Sequence, residues 1–150
     1  MILTAPTIEE GSRMPLRHAV EGDNVSPELS WSGAPEGTKY FAVTCYDPDA
    51  PTGSGWWHWL WVNIPADVVR LEEGASKNSS FGLETATDYG VPGYSGPLPP
   101  KGHGMHRYQF TVWALSEAVE AEASTPPAQV GFQINFKALA SARVTGTFVR

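Results

Sequence analysis

Fifteen glycines and thirteen prolines interrupt this 150-residue chain every few residues, leaving little room for a helix long enough to hold itself together without tertiary support. The segments between the interruptions are short and rich in branched and aromatic residues, which predicts an all-β protein with minor helix. Residues 40–46 carry no charge on either alternating set, as expected of a central strand covered on both sides. Residues 56–64 set Trp57, Trp59 and Trp61 against Trp56, His58, Leu60, Val62 and Ile64, a second buried strand. A third is expected over 105–115. In 130–137, Val130, Phe132, Ile134 and Phe136 alternate with Gly131, Gln133, Asn135 and Lys137, which reads as an amphipathic fourth strand with one wet face. Short peripheral helices are expected at 138–142 and around 118–123. Two antiparallel sheets packed face to face as a β-sandwich, in one domain covering 1–150, is the simplest architecture for such a set.

Residues 72–92 and 94–104 show no period and are rich in Gly, Ser, Asn and Pro, so both are expected to be surface loops. The second leads directly into the strand bearing His106 and Tyr108, which marks it as functional.

Charge and composition narrow the function. A net charge of −6 with no Lys/Arg cluster lacks the footprint of a nucleic-acid-binding surface. No apolar run is long enough for membrane insertion, and the first residues lack the basic and apolar regions of a secretory signal, so a cytoplasmic location is expected. The single cysteine, Cys45, excludes an intramolecular disulfide and sits in an apolar strand as a small hydrophobe. No cofactor motif is present, and a GxSxG elbow, HExxH and P-loop are all missing.

Four places can carry chemistry. In Asp47-Pro48-Asp49-Ala50-Pro51 a strand ends in two carboxylates separated by one residue, with prolines limiting the backbone; such aspartates can cap a turn, preorganise a site, or do both. His58 must find a hydrogen-bond partner or stay neutral on its apolar face, and comes near Asp47 if the flanking strands form a hairpin. His106 and Tyr108 share a strand face about 7 Å apart. Pro99-Pro100-Lys101-Gly102-His103-Gly104 has glycines that let backbone N–H groups approach an anion.

Asn24-Val25-Ser26-Pro27 with Leu29 and Trp31, DPDAP at 47–51, WHW at 57–59 and GPLPPKGHGMHRY at 96–108 together resemble the ordered signature of the phosphatidylethanolamine-binding proteins. The Thr52–Gly55 connection brings the chain nearest to their bacterial and archaeal, Raf-kinase-inhibitor-like branch. This resemblance implies a large antiparallel sheet on a smaller one and a pocket for phosphate, acetate, cacodylate or a phosphoethanolamine headgroup. It places Asp47, His58, His106 and Tyr108 in the pocket and Asp49, Pro99 and Pro100 at its rim. His103 and Met105 fall in a variable stretch, and Asn135 and Lys137 stand where many relatives carry histidine; none of the four is assigned to the site. The expected function is a non-enzymatic anion- or headgroup-binding protein, with a kinase or protease as a further candidate partner and a homodimer as a candidate assembly. The alternative is an Asp/His hydrolase, metal-assisted or not, using Asp47, His58, His103 and His106.

Overall fold

The computed structural model describes residues 1–150. Eight strands form in chain order: β1 (Ile2–Thr4), β2 (Leu29–Ser32), β3 (Tyr40–Asp47), β4 (Trp56–Pro65), β5 (Arg70–Leu71), β6 (Leu83–Glu84), β7 (His106–Leu115) and β8 (Ala138–Phe148). One helix, α1 (Pro127–Lys137), precedes β8, and a single 3-10 turn covers Leu16–His18. A three-stranded antiparallel sheet runs β1-β2-β5, and a five-stranded antiparallel sheet runs β6-β4-β3-β7-β8. No helix is long and apolar enough to cross a membrane.

The central strands are apolar on both faces because each face is covered. Leu29, Trp31 and Leu71 of the small sheet meet Phe41, Val43, Cys45, Trp59, Phe110 and Val112 of the large one in the main core. Behind the large sheet, Ala42, Leu60, Val62 and Leu115 meet Val130 and Ile134 of α1. Each large apolar side chain buried this way contributes roughly 1.5–3 kcal/mol, which favours the register placing both sets inside.

Three sequence expectations give way. Residues 130–137 lie in α1, where Val130 and Ile134 are 0% and 1% exposed while Phe132 and Phe136 are 72% and 81% exposed. The period-2 alternation coincides with an i, i+4 pattern, and Pro127 at the first helical position starts a helix whose missing N–H costs nothing there. Residues 138–142 belong to β8 rather than a helix, because pairing with β7 overrides the helix propensity of alanine. Residues 118–123 form no helix; Val119 is tied by both backbone groups to the Asn63 side chain, at 2.7 and 2.9 Å.

The alternation expected of β4 is also interrupted. Cys45 pairs with Trp59 but Tyr46 with Trp57, so His58 is an extra residue in a bulge. A second irregularity follows at Asn63, whose φ is 57°. Leu60 and Val62 therefore face α1, while Trp59, Trp61 and Ile64 join the main core.

Candidate functional site

The β3–β4 hairpin ends at a connection that glycine makes possible. A Cβ on Gly55, whose φ is +68°, would stand 2.7 Å from the Asp47 carbonyl oxygen, so only glycine lets the chain return this tightly. At the end of β3, Asp47 is buried beside β7. The Asp49 backbone N–H donates to Asp47 Oδ1 at 2.8 Å, and His106 Nδ1 lies 2.7 Å from Asp47 Oδ2. One Asp47 carboxylate oxygen thus caps the turn while the other holds His106.

The bulge in β4 sends His58 to the same side of the sheet as Tyr108, with ring centroids 5.2 Å apart and edge to face. His58 Nδ1 donates to the Ser95 carbonyl at 2.8 Å, which fixes a proton on Nδ1 and leaves Nε2 as the free ring nitrogen. Burial lowers the pKa of His58, with the Ser95 carbonyl opposing the shift, so the ring is neutral at pH 7. Burial, then the Asp47 charge, pushes the Tyr108 phenol far above its ordinary value, so it remains protonated.

These groups line one cleft of about 210 Å³, together with Trp56, Tyr89, Leu98, Pro99 and Pro100. That volume is below the ~300–1,000 Å³ of sites for drug-sized ligands. Trp56 Nε1 and Tyr108 OH are both buried without a hydrogen-bond partner. The Leu98 amide is close enough to favour the phenolate slightly, yet it does not reach hydrogen-bond geometry with the Tyr108 hydroxyl. Buried polar atoms without partners are uncommon because each forfeits its hydration, and these two belong to residues that line one cleft. Two other depressions, near residues 24–26 and 70–81, contain no such atom.

Of the sequence-selected residues, Asp47, His58, His106, Tyr108, Pro99 and Pro100 are brought together in this cleft. Asp49 is not among its lining residues: its carboxylate receives the Arg107 guanidinium at 2.9 Å through two nitrogens and the Arg107 backbone N–H at 2.9 Å. The Arg107 guanidinium holds the Asp49 pKa below its usual range. Asp47 contacts His106 rather than His58. His103, Met105, Asn135 and Lys137 lie outside the cleft lining.

Two neighbours of these rings are not assigned to the anion pocket by sequence reasoning. Tyr89 reaches the cleft from the aperiodic 72–92 segment, its ring 5.8 Å from His58 and 5.2 Å from Trp56. His103, left unassigned on sequence grounds, places Nδ1 2.6 Å from His106 Nε2. Its HxxH spacing carried a signal, since a turn at 100–103 brings the two rings together where a continuous strand would set them apart. The remaining histidine, His18, is structural: Nδ1 donates to the Val25 carbonyl at 2.7 Å and Nε2 accepts from Thr7 Oγ1 at 2.8 Å.

A family model described as phosphatidylethanolamine-binding protein matches residues 4–149. The chain belongs to that family. UPF0098 protein YbhB of Escherichia coli is 47% identical, covering 99% of each chain, and YbcL of the same organism is 45% identical over 97% of this chain and 86% of its own. The crystal structure of E. coli YbcL superposes with a TM-score of 0.95 over 99% of this chain and 97% of that one, at 42% identity. A phosphatidylethanolamine-binding protein homologue from Chlamydia trachomatis gives a TM-score of 0.87 over 99% and 97% of the two chains, at 29% identity. The two-sheet fold and the bacterial branch expected for this phosphatidylethanolamine-binding family member are both found.

Proposed function

We propose that this protein is a binding protein whose cleft takes a small phosphoryl anion, as inorganic phosphate or as the phosphoryl group of a phosphoethanolamine headgroup. The observation that carries the reading is the pair of unpartnered polar atoms, Trp56 Nε1 and Tyr108 OH, on residues that line a cleft with His58 and His106. The indole N–H and the phenol O–H are donors, which suit oxyanion oxygens. Neutral His58 presents an acceptor at Nε2, so the favoured ligand is a protonated phosphoryl group whose P–OH donates to it. That proton also relieves the repulsion between the ligand and Asp47. A kinase or protease partner would be engaged by the same chemistry, through a phosphorylated or acidic side chain entering the cleft.

Calorimetric titration with inorganic phosphate and with phosphoethanolamine from pH 5 to 8 tests the reading and separates the two sources. Binding should weaken as pH rises, by up to about tenfold per unit where one proton is taken up on binding. The His58→Ala, His106→Ala double variant should lose binding, and undiminished binding by it would refute the site.

A hydrolase is less well supported. Its metal-assisted form needs three donor side chains around one ion, and no three His, Cys, Asp or Glu side chains are so arranged.

A further inference from the structure

We infer that His103 gates the cleft: it occupies the one nitrogen of His106 that a ligand could use, and an entering phosphoryl P–OH, donating to that nitrogen in place of the His103 N–H, displaces it. The inference rests on the phosphoryl-binding reading above and adds a residue that determines affinity. His106 has two ring nitrogens. Nδ1 is committed to Asp47 Oδ2 at 2.7 Å, and Nε2 is committed to His103 Nδ1 at 2.6 Å. A carboxylate only accepts, so the Asp47 contact fixes a proton on His106 Nδ1. In neutral His106, Nε2 then accepts from the His103 N–H, and the ring lining the cleft has no hydrogen bond left to offer.

An imidazole nitrogen has one in-plane direction for a hydrogen bond, so His103 and a ligand cannot both use His106 Nε2. Either His106 contributes nothing to binding or His103 leaves. The loop is built so that leaving is easy. His103 is solvent-exposed, while His106 is 1% exposed. Its glycine neighbours, Gly102 and Gly104, have φ of +78° and +99° and have no heavy atom within 4 Å of where a Cβ would stand. The start of the loop is anchored by Arg150 Nε donating to the Pro99 carbonyl at 2.6 Å and by the Gly102 N–H donating to the Arg150 carbonyl at 3.1 Å. The His103 backbone N–H also donates to the Pro100 carbonyl at 3.1 Å, so the ring swings out by side-chain rotation and leaves the wall formed by Pro99 and Pro100 in place. Displacement costs one hydrogen bond and little buried surface.

Titration of wild type and His103→Ala with inorganic phosphate, and separately with phosphoethanolamine, tests the gate. His103→Ala removes the competing contact and should bind each probe roughly 3- to 10-fold more tightly, the net worth of one hydrogen bond. A His103→Gln variant, whose amide can again cap Nε2, should return affinity toward wild type. In imidazole 15N spectra of wild type, phosphate should move the His103 Nδ1 resonance to that of a free, hydrated ring. Unchanged or weaker binding by His103→Ala overturns the gate. If the His58→Ala, His106→Ala variant loses phosphate while His103→Ala gains nothing, the gate alone fails and the cleft stands. If neither wild type nor His103→Ala takes either probe, both fail.

Discussion

Asp47 Oδ2 stands 2.7 Å from His106 Nδ1, and through that contact a buried carboxylate decides which nitrogen of His106 carries the proton. Replacing Asp47 by Asn reverses the choice. An amide N–H facing Nδ1 makes that nitrogen an acceptor and moves the proton to Nε2. Asp47→Asn also removes a negative charge beside the anion. Its binding of phosphate should therefore shift toward the dianion, with a flatter affinity profile between pH 5 and 8 than wild type. Calorimetry across that range checks this; an equally steep profile contradicts it.

Stability should fall on the acid side of neutrality. Burial lowers the pKa of both His18 and His58, so the folded chain favours their neutral forms and the unfolded chain binds more protons. Their contribution is complete above the ordinary histidine value of about 6.5 and is lost as pH falls toward the lowered folded values. The urea midpoint should decline from pH 7.5 to pH 5, and His18→Gln should show a shallower decline. A flat wild-type midpoint across this window contradicts the placement of both rings.

Gly96 links the fold to the cleft. A Cβ there would stand 1.8 Å from the His18 carbonyl oxygen, a backbone atom that cannot move aside. Gly96→Ala should cost about 1–3 kcal/mol or more in chemical unfolding. It should also weaken phosphate binding, because the displaced segment includes Ser95, whose carbonyl orients His58.

The helix α1 is open to a simple contrast. Ile134 is 1% exposed and Phe136 is 81% exposed, so Ile134→Ala should cost about 2–5 kcal/mol and Phe136→Ala should stay within about 0.5 kcal/mol. Comparable costs at both positions would be the signature of an amphipathic strand.

That contrast also shows where the sequence misleads. In Val130–Phe136 the hydrophobic spacing serves either period, and the decision comes from the apolar back of the large sheet, formed by residues distant in sequence. Ala138–Ala142 likewise becomes a strand because β7 supplies hydrogen-bond partners. The strands expected over 40–46, 56–64 and 105–115 were legible from their branched and aromatic residues between turn signals, and strands form at 40–47, 56–65 and 106–115. For the site, motif residues identified Asp47, His58, His106 and Tyr108, which line one cleft. Periodicity could not reveal the bulge that turns His58 away from Leu60, nor the loop path that brings Tyr89 to it. Adjacency in the motif overstated Asp49, which is held by Arg107 instead.

The four histidines offer the most direct measurement of whether the cleft takes a phosphoryl anion. Imidazole 15N spectra recorded while phosphoethanolamine is added should show His58 and His106 moving together along one saturable curve. His18, with both nitrogens satisfied by Val25 and Thr7, should stay still. Stationary His58 and His106 resonances, or equal movement of all four rings, would contradict an anion site in this cleft.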